Sequence, residues 1–156
     1  MDYVLELRKL VGHRPLLIVG VCIAVLNEQD EILFIERTDN DLFGFPAGSL
    51  ELGETVEEGA KREIYEETGL TAGKLEFVEV YSGKEQTYTY PNGDECFFVT
   101  LLYVCRDYKG ELVQTTNETR AAKFYPANSI PQKIAPHAKI IVDDFMNRYY
   151  KKLIQK

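Results

Sequence analysis

Residues 48–70 read GSLELGETVEEGAKREIYEETGL, and most of what the sequence predicts depends on this segment. It carries seven glutamates between Glu51 and Glu67. Three of them, Glu63, Glu66 and Glu67, follow the i, i+3, i+4 spacing that places side chains on one face of a helix. Like charges so placed repel one another, so a bound divalent cation is an obvious reason for a fold to keep them together.

The same segment carries the signals of a glycine-rich loop that leads into a helix. Thr55 and Glu58 match a capping box, in which the hydroxyl accepts a backbone hydrogen bond and the glutamate reaches back to the cap. Gly69 suits the left-handed position just past a helix end. The pattern therefore predicts a helix from Val56 to Thr68. The residues expected to face a core are Val56, Ala60, Ile64 and Tyr65.

Two interpretations of this acidic helix are open. Glutamate favours helices, and a solvated acidic surface is common. A metal site is favoured here because few cations compensate the glutamates at i+4, and because the glycines of the preceding loop let its backbone approach a ligand closely. Carboxylate oxygens suit Mg²⁺ or Mn²⁺ and not zinc.

The segment resembles the Nudix box, a pattern of G, five residues, E, seven residues and then R-E-U-x-E-E-x-G-U, where U is apolar. Gly48 and Glu54 occupy the first two fixed positions, and 62–70 supplies the others as REIYEETGL. All nine fixed positions within the 23 residues are filled. The preceding FGFPAG also resembles the family's lead-in, although Ala47 replaces a second glycine and Phe43 replaces a tryptophan.

The resemblance implies an α/β fold, a Nudix-type α/β/α sandwich with a mixed β-sheet. It also implies divalent-metal-dependent hydrolysis of a pyrophosphate bond in a nucleoside diphosphate linked to another moiety, of the nucleotide sugar, ADP-ribose or nucleoside triphosphate type. The Mg²⁺ or Mn²⁺ cofactor would be held by the side chains of Glu63, Glu66 and Glu67 and by the backbone carbonyl of Ala47.

Three further residues are candidates for the catalytic machinery. Arg62 can form a bidentate pair with Glu54, either to orient a carboxylate of the site or as a purely structural salt bridge. The general base is open between Glu63 and Glu118, an acid in a later loop of the kind that family members often use. For Glu118, a solvated loop residue is an equally good interpretation.

Substrate contacts are less constrained by the sequence. Arg37 ends a predicted strand just before the glycine loop, where it is either a phosphate contact or a surface arginine. Phe45 of the lead-in and Tyr88 of a tyrosine-rich hairpin are candidate substrate contacts, with plain packing as the alternative for the hairpin. His13 and His137 have no evident partner in the sequence and are taken as structural or surface residues.

Length and composition fit one domain. We expect residues 1–156 to form a single Nudix hydrolase domain, with 1–14 as an N-terminal helical extension. A net charge of −7 argues against stable nucleic-acid binding. The longest apolar run, 15–26, is too short to span a bilayer, and no signal peptide is evident. Three cysteines without metal-ligand spacing are expected to be buried, reduced thiols, which predicts a cytoplasmic protein.

The remaining pattern predicts an alternation of strands and helices. A helix over 4–11 has an apolar face, which makes a homodimer plausible. Strands are expected over 16–27, 31–37, 74–81, 85–90, 95–106 and 121–125, with an Asn92-Gly93 hairpin turn. A final helix over 136–153 should carry Ile140, Ile141, Val142, Phe145 and Met146 on its inner side.

Two other functions are compatible with a Nudix-like fold. One is a non-catalytic nucleotide-binding or regulatory module, although such relatives usually have an eroded box or an attached DNA-binding domain. The other is an isomerase of a prenyl diphosphate, which usually has a longer chain and a catalytic cysteine. Here Cys96 and Cys105 lie in apolar predicted strands, which argues against the isomerase.

Overall fold

Strands and helices alternate along residues 2–155, the part of the chain that the computed structural model describes. In chain order the elements are α1 (Tyr3–Val11), β1 (Leu16–Val25), β2 (Ile32–Arg37), β3 (Phe43–Gly44), β4 (Ala47–Ser49), α2 (Val56–Thr68), β5 (Thr71–Ala72), β6 (Leu75–Tyr81), β7 (Thr87–Thr89), β8 (Glu95–Cys105), β9 (Tyr108–Lys109), β10 (Thr119–Tyr125), a 3₁₀ turn (Ala127–Ser129), α3 (Pro136–Asp144), a π-helical segment (Phe145–Tyr150) and α4 (Lys151–Ile154).

The central sheet is mixed, as predicted. Its strand order is β4-β1-β8-β6, and β7 pairs with the first residues of β8. β1 and β8 run parallel, from Leu16 opposite Cys96 to Val25 opposite Cys105. β4, β6 and β7 are antiparallel to these two strands. Two smaller sheets, β10-β2-β3 and β5-β9, complete the described strands.

Helices cover both faces of the central sheet because its inner strands are apolar on both sides. Val21 and Ile23 of β1 pack on one face with Ile64 of α2. The intervening Cys22 and Ala24 pack on the other face against α3 and the π-helical segment. The predicted α/β/α sandwich is therefore confirmed.

Helix α2 has the predicted bounds and caps. The Thr55 hydroxyl accepts from the Glu58 N–H at 3.2 Å, and the Glu58 carboxylate accepts from the Thr55 N–H at 2.7 Å. Gly69 ends the helix in the left-handed region at φ 77°. Tyr65 was expected to face the core, but its side chain is 61% exposed. Each helical residue turns by about 100°, so the neighbour of the buried Ile64 leaves the core face.

The C-terminal helix is interrupted, which the sequence pattern did not predict. The chain is π-helical from Phe145 to Tyr150. In a π-helix the bonds close from i to i+5, so residues five apart lie closer to one side of the helix than they do in an α-helix, and both Phe145 and Tyr150 are buried in the core. Ile141 and Val142 are buried and Met146 packs against the same core, but the expectation for Ile140 is wrong, because this side chain is 37% exposed.

Helix α1 is attached to the first residues of β8 through Arg8. The buried guanidinium donates to the Glu95 carbonyl at 2.7 Å and to the Cys96 sulfur at 3.4 Å. The apolar side chains of this helix are only partly packed, since Leu5 is 59% and Leu10 is 85% exposed. A homodimer through this helix stays a prediction.

Cys22, Cys96 and Cys105 are buried and carry free thiols. Across residues 2–155 no helix combines the length and the apolar character that a bilayer crossing needs.

Candidate active site

A cleft of about 980 Å³ opens at the N-terminal half of β1 and brings together segments far apart in sequence. The β3–β4 loop, α1, α2, α3 and the loop before β10 all contribute to its lining. Its charged lining residues include Arg37, Arg62, Glu63 and Glu118. The cleft therefore contains most of the polar residues that the sequence singles out.

Gly48 allows a carboxylate of α2 to reach the β4 backbone. A Cβ atom at this position would lie 2.1 Å from Oε1 and 2.2 Å from Cδ of Glu63. The glutamate thus occupies the space that any other residue would fill, which is one of the uses of glycine. Glu63 is 6% exposed, and this burial raises the pKa of its carboxyl to about 7, against the opposing effect of Arg62.

Glu67 is the most buried acid of the site, with 1% of its surface exposed. Its Oε1 accepts from the Ala47 N–H at 2.7 Å. Burial raises the pKa of Glu67 well above its usual value, while the charge of Arg37 opposes the rise. Burying a carboxylate with so little compensation is costly, and this cost fits an acid whose function is to bind a cation.

The register of β4 directs the backbone of Ala47 toward this acid. Ala47 stands opposite Cys22 of β1. The hydrogen bonds between the two chain segments lie on either side of this pair. One runs from the Ile23 N–H to the Pro46 carbonyl and another from the Leu50 N–H to the Val19 carbonyl. In an antiparallel pair the hydrogen-bonding direction alternates, and the N–H and C=O of one residue point to the same side. Both polar groups of Ala47 therefore point away from β1.

Three carboxylates converge at the cleft. Oxygen atoms of Glu63, Glu67 and Glu118 lie within 4.8 Å of one another. Two of these side chains are buried and Glu118 is exposed. Such a group of hard oxygen donors, one of them from a distant loop, fits a divalent cation of the Mg²⁺ type. Glu66 lies outside this group, and its Oε2 accepts from Arg62 at 3.2 Å.

Arg62 connects the acidic residues to the loop before α2. It forms a bidentate pair with Glu54, with distances of 3.0 Å from Nε and 2.7 Å from Nη2. It also donates to Oε1 of Glu63 at 2.7 Å and to the Ser49 carbonyl at 3.0 Å. The hydrogen bond to Glu54 is the main reason that the pKa of Arg62 is raised. The arginine thus fixes one glutamate of the converging group and the adjacent backbone at once.

Comparison with known proteins agrees with this geometry. Residues 16–145 match the family model described as the NUDIX domain. The chain belongs to the Nudix family. With relatives named as pyrophosphatases and diphosphatases, it is a Nudix pyrophosphohydrolase and hence an enzyme. Divalent metal ions are typical of Nudix hydrolases, and the converging carboxylates fit such an ion.

Two relatives align with most of this Nudix chain. The ADP-ribose pyrophosphatase of Methanocaldococcus jannaschii is 31% identical over 144 residues, which cover 90% of this chain and 81% of that protein. A putative 8-oxo-dGTP diphosphatase of Bacillus subtilis is 31% identical over 128 residues, which cover 82% and 79%.

Solved structures support the fold. The MutT protein from Methanosarcina mazei Go1 has a TM-score of 0.71 at 18% identity, covering 92% of this chain and 99% of that one. The NUDIX domain of Shewanella oneidensis NrtR, solved with ADP ribose, has a TM-score of 0.69 at 16% identity, covering 92% and 97%.

Arg37 is another basic residue of the cleft in this Nudix chain, besides Arg62. Its Nε and Nη2 donate to the two carboxylate oxygens of Asp39, both at 2.9 Å. Burial disfavours the charge, but the pair with Asp39 outweighs that effect, so the pKa of Arg37 is raised. Arg37 lines the cleft and acts electrostatically on Glu67, so it is a permanent positive charge near the acidic group.

The two predicted aromatic contacts occupy different places. Phe45 lines the cleft but is 5% exposed, and its ring packs against Phe34 at 5.1 Å and Phe145 at 5.6 Å. Tyr88 packs edge-on against Tyr90 at 4.7 Å. Tyr90, and not Tyr88, is among the residues that line the cleft.

His137 is a cleft residue that the sequence pattern did not reveal. Its ring stacks on Phe98 with centroids 5.0 Å apart and an interplanar angle of 17°. Its Nδ1 is buried and has no hydrogen-bond partner among residues 2–155. Burial, aided by Arg37, lowers the pKa of His137 to about 4, so the ring is neutral near pH 7. No local spacing marks this histidine, because its neighbours come from β8 and the β7 hairpin.

Proposed function

We propose that this enzyme hydrolyses the pyrophosphate bond of a nucleoside diphosphate linked to another moiety. The convergence of Glu63, Glu67 and Glu118 at the edge of a large cleft carries the proposal. A nucleotide fits a cleft of about 980 Å³. Two relatives at 31% identity are named for ADP-ribose and, putatively, for 8-oxo-dGTP, and both compounds contain the bond in question.

The proposed cofactor is Mg²⁺ or Mn²⁺. Glu63 and Glu67 would hold it with the Ala47 carbonyl, and Glu66 would join them after releasing its single bond to Arg62. A bound divalent ion neutralises phosphate charge and lowers the pKa of coordinated water. The burial of Glu63 and Glu67 supports this assignment, because uncompensated acids resist burial.

The protein's own groups have separable roles in this proposal. Glu118 is the exposed member of the converging group, so it can exchange protons with solvent and serve as general base, with Glu63 as the alternative. Arg62 positions Glu63 while Glu54 holds Arg62. Arg37 would release its present partner, Asp39, and donate to a phosphate oxygen of the substrate instead. Phe45 lines the cleft and stays a candidate substrate contact. Tyr88 is either a substrate contact or a support for Tyr90, the cleft residue against which it packs.

The organisation of the chain belongs to the same proposal. The Nudix match spans 16–145, and α1 is tied to β8 by Arg8, which supports one domain over 1–156 with 1–14 as an extension. Three buried free thiols support a reducing, cytoplasmic location.

The test is a substrate panel. The protein is incubated with Mg²⁺ or Mn²⁺ and with nucleotide sugars, ADP-ribose, dinucleoside polyphosphates, nucleoside triphosphates and capped RNA, and products are separated by chromatography. We expect turnover of at least one compound, with Glu63→Gln and Glu67→Gln each reducing kcat/KM by about 100-fold or more. A calorimetric titration that shows tight nucleotide binding without any product would instead establish the non-catalytic, regulatory function.

A further inference from the structure

One face of the central sheet is only half covered. Odd-numbered residues of β1 and β8 point to the α2 side, where Val21 and Tyr103 are buried in the core. Toward the start of both strands, and along the neighbouring β6, where Phe77 stands opposite Tyr103, the same face continues beyond the helix. We call this region the open sheet face. It comprises Leu17, Val19, Phe77, Val80 and Phe97, which are 76%, 43%, 54%, 44% and 37% exposed.

Strand register makes the open sheet face continuous. Leu17 of β1 stands directly opposite Phe97 of β8, and two residues further along Val19 stands opposite Val99. Val80 of β6 stands opposite Leu101, the next residue of β8 on this face. Cross-strand neighbours have Cβ atoms about 5 Å apart, so these positions form one continuous surface across three strands.

The composition of this face is unusual for a surface in water. A sheet with one solvated face normally alternates apolar and polar residues along its strands. Here β1 reads LLIVGVCIAV, without a polar side chain at any position but Cys22, and the outward positions of β8 on this face, Phe97 and Val99, are apolar too. Polar residues appear at the rim, where Thr87 pairs with Phe97 and Thr89 with Glu95. An apolar centre with a polar rim is the anatomy of a protein interface.

The size of the face indicates the kind of partner. At roughly 200 Å² for a large apolar residue, the five exposed fractions amount to about 500 Å² of apolar surface, the upper part of the range for the largest patch on a monomer. A standard interface buries about 800 Å² on each partner, of which 56–65% or roughly 450–520 Å² is apolar. The open sheet face therefore supplies the apolar share of one half of a standard interface.

We propose that the open sheet face is the contact surface of a two-fold homodimer. A second copy brings the same flat apolar face, so one symmetric contact covers both. Two sheets pack well face to face at about 10 Å, with strands about 30° apart. An added peptide strand is not the expected occupant, because β8 is paired on both sides and β1 has an unpaired edge only over its first residues, before β4 begins opposite Gly20. A strand added at that edge would leave the open sheet face itself uncovered. A net charge of −7 likewise disfavours an anionic membrane surface.

The experiment measures the mass of the full chain by sedimentation and light scattering from micromolar to submillimolar concentration. We expect a dimer for the wild type. Leu17→Lys and Phe97→Lys together should weaken the dimer by roughly 100-fold or more, because like charges then face each other across the two-fold axis. The matched control is Leu10→Lys on α1, 85% exposed, which should leave the dimer intact.

Circular dichroism and thermal unfolding show that each variant is folded, and Leu17→Lys alone changes a side chain that is already 76% exposed in the subunit. A wild type that is monomeric at every concentration would overturn the proposal, whether or not it binds lipid vesicles. So would a double variant that dimerises as tightly as the wild type. Dissociation caused by Leu10→Lys alone would place the contact on α1 and also refute it.

Discussion

Gly48→Ala tests the closest contact in the site. The added Cβ would lie 2.1 Å from Oε1 of Glu63, whereas ordinary contacts begin at 3.4 Å. The carboxylate must therefore move by at least 1.3 Å, the difference between these distances. A displacement of about 1 Å in a catalytic group can cost about 100-fold in rate. At 1.36 kcal/mol for each tenfold, this corresponds to about 2.7 kcal/mol of transition-state stabilisation.

The fold should tolerate the same change. Gly48 does not have a positive φ, so alanine fits its backbone, and the displaced atoms are the end of a flexible side chain. We expect a change in the free energy of unfolding of about 1 kcal/mol, mostly from the weakened bond between Arg62 and Glu63. The assay compares kcat/KM on the best substrate of the panel with the affinity for Mn²⁺ and the melting temperature.

Gly44→Ala is the matched control. Gly44 ends β3, four residues before Gly48, and has an ordinary φ, and within residues 2–155 nothing lies within 4 Å of its added Cβ. Its kcat/KM should stay near that of the wild type. The reasoning fails if Gly48→Ala retains kcat/KM within threefold of the wild type, or if both alanine variants lose activity equally.

Three further predictions concern α2. Burial raises the pKa of Glu63 to about 7 and that of Glu67 well above its usual value, so the metal-free protein binds extra protons above about pH 4.5 and loses stability as the pH rises from there. Glu67→Gln should flatten this part of the melting-temperature profile while lowering kcat/KM; a profile as steep as the wild type's would contradict the assignment. Arg62→Lys should lower kcat/KM by about 10–100-fold, because lysine lacks the planar guanidinium that binds Glu54 and Glu63 at once. Unchanged kinetics would mean that Arg62 does not position the acidic residues. Ile64→Ala should cost about 2–5 kcal/mol in urea unfolding and Tyr65→Ala less than about 0.5 kcal/mol, and similar losses would mean that the helix is rotated.

Local chemistry explains why α2 was predictable. Its start depends on a Thr55–Glu58 capping box and its end on Gly69, and all the atoms involved lie within a few residues of one another. The bidentate pair of Arg62 and Glu54 spans only eight residues of chain. The acidic helix, its bounds and its arginine could therefore be derived without knowing where the rest of the chain lies.

Other features depend on neighbours that are distant in sequence. Tyr65 and Ile140 are apolar enough for a core, but helix rotation against the sheet decided their exposure. The π-helical segment begins and ends with residues that are buried in the core, Phe145 and Tyr150, and no local signal in the sequence marks it. His137 lines the cleft with its ring against Phe98 and Tyr88, which are distant from it in sequence.

The candidate site shows the same difference between features set by local sequence and features set by distant contacts. Sequence alone determined which residues could ligate a cation, since spacing on one helix fixes the relative positions of Glu63, Glu66 and Glu67. Only the tertiary structure brought Glu118, 51 residues after Glu67, into the same group and left Glu66 outside it. The physical reason is range: helix periodicity and capping act over a few residues, whereas burial and charge at a site depend on how distant strands and loops pack.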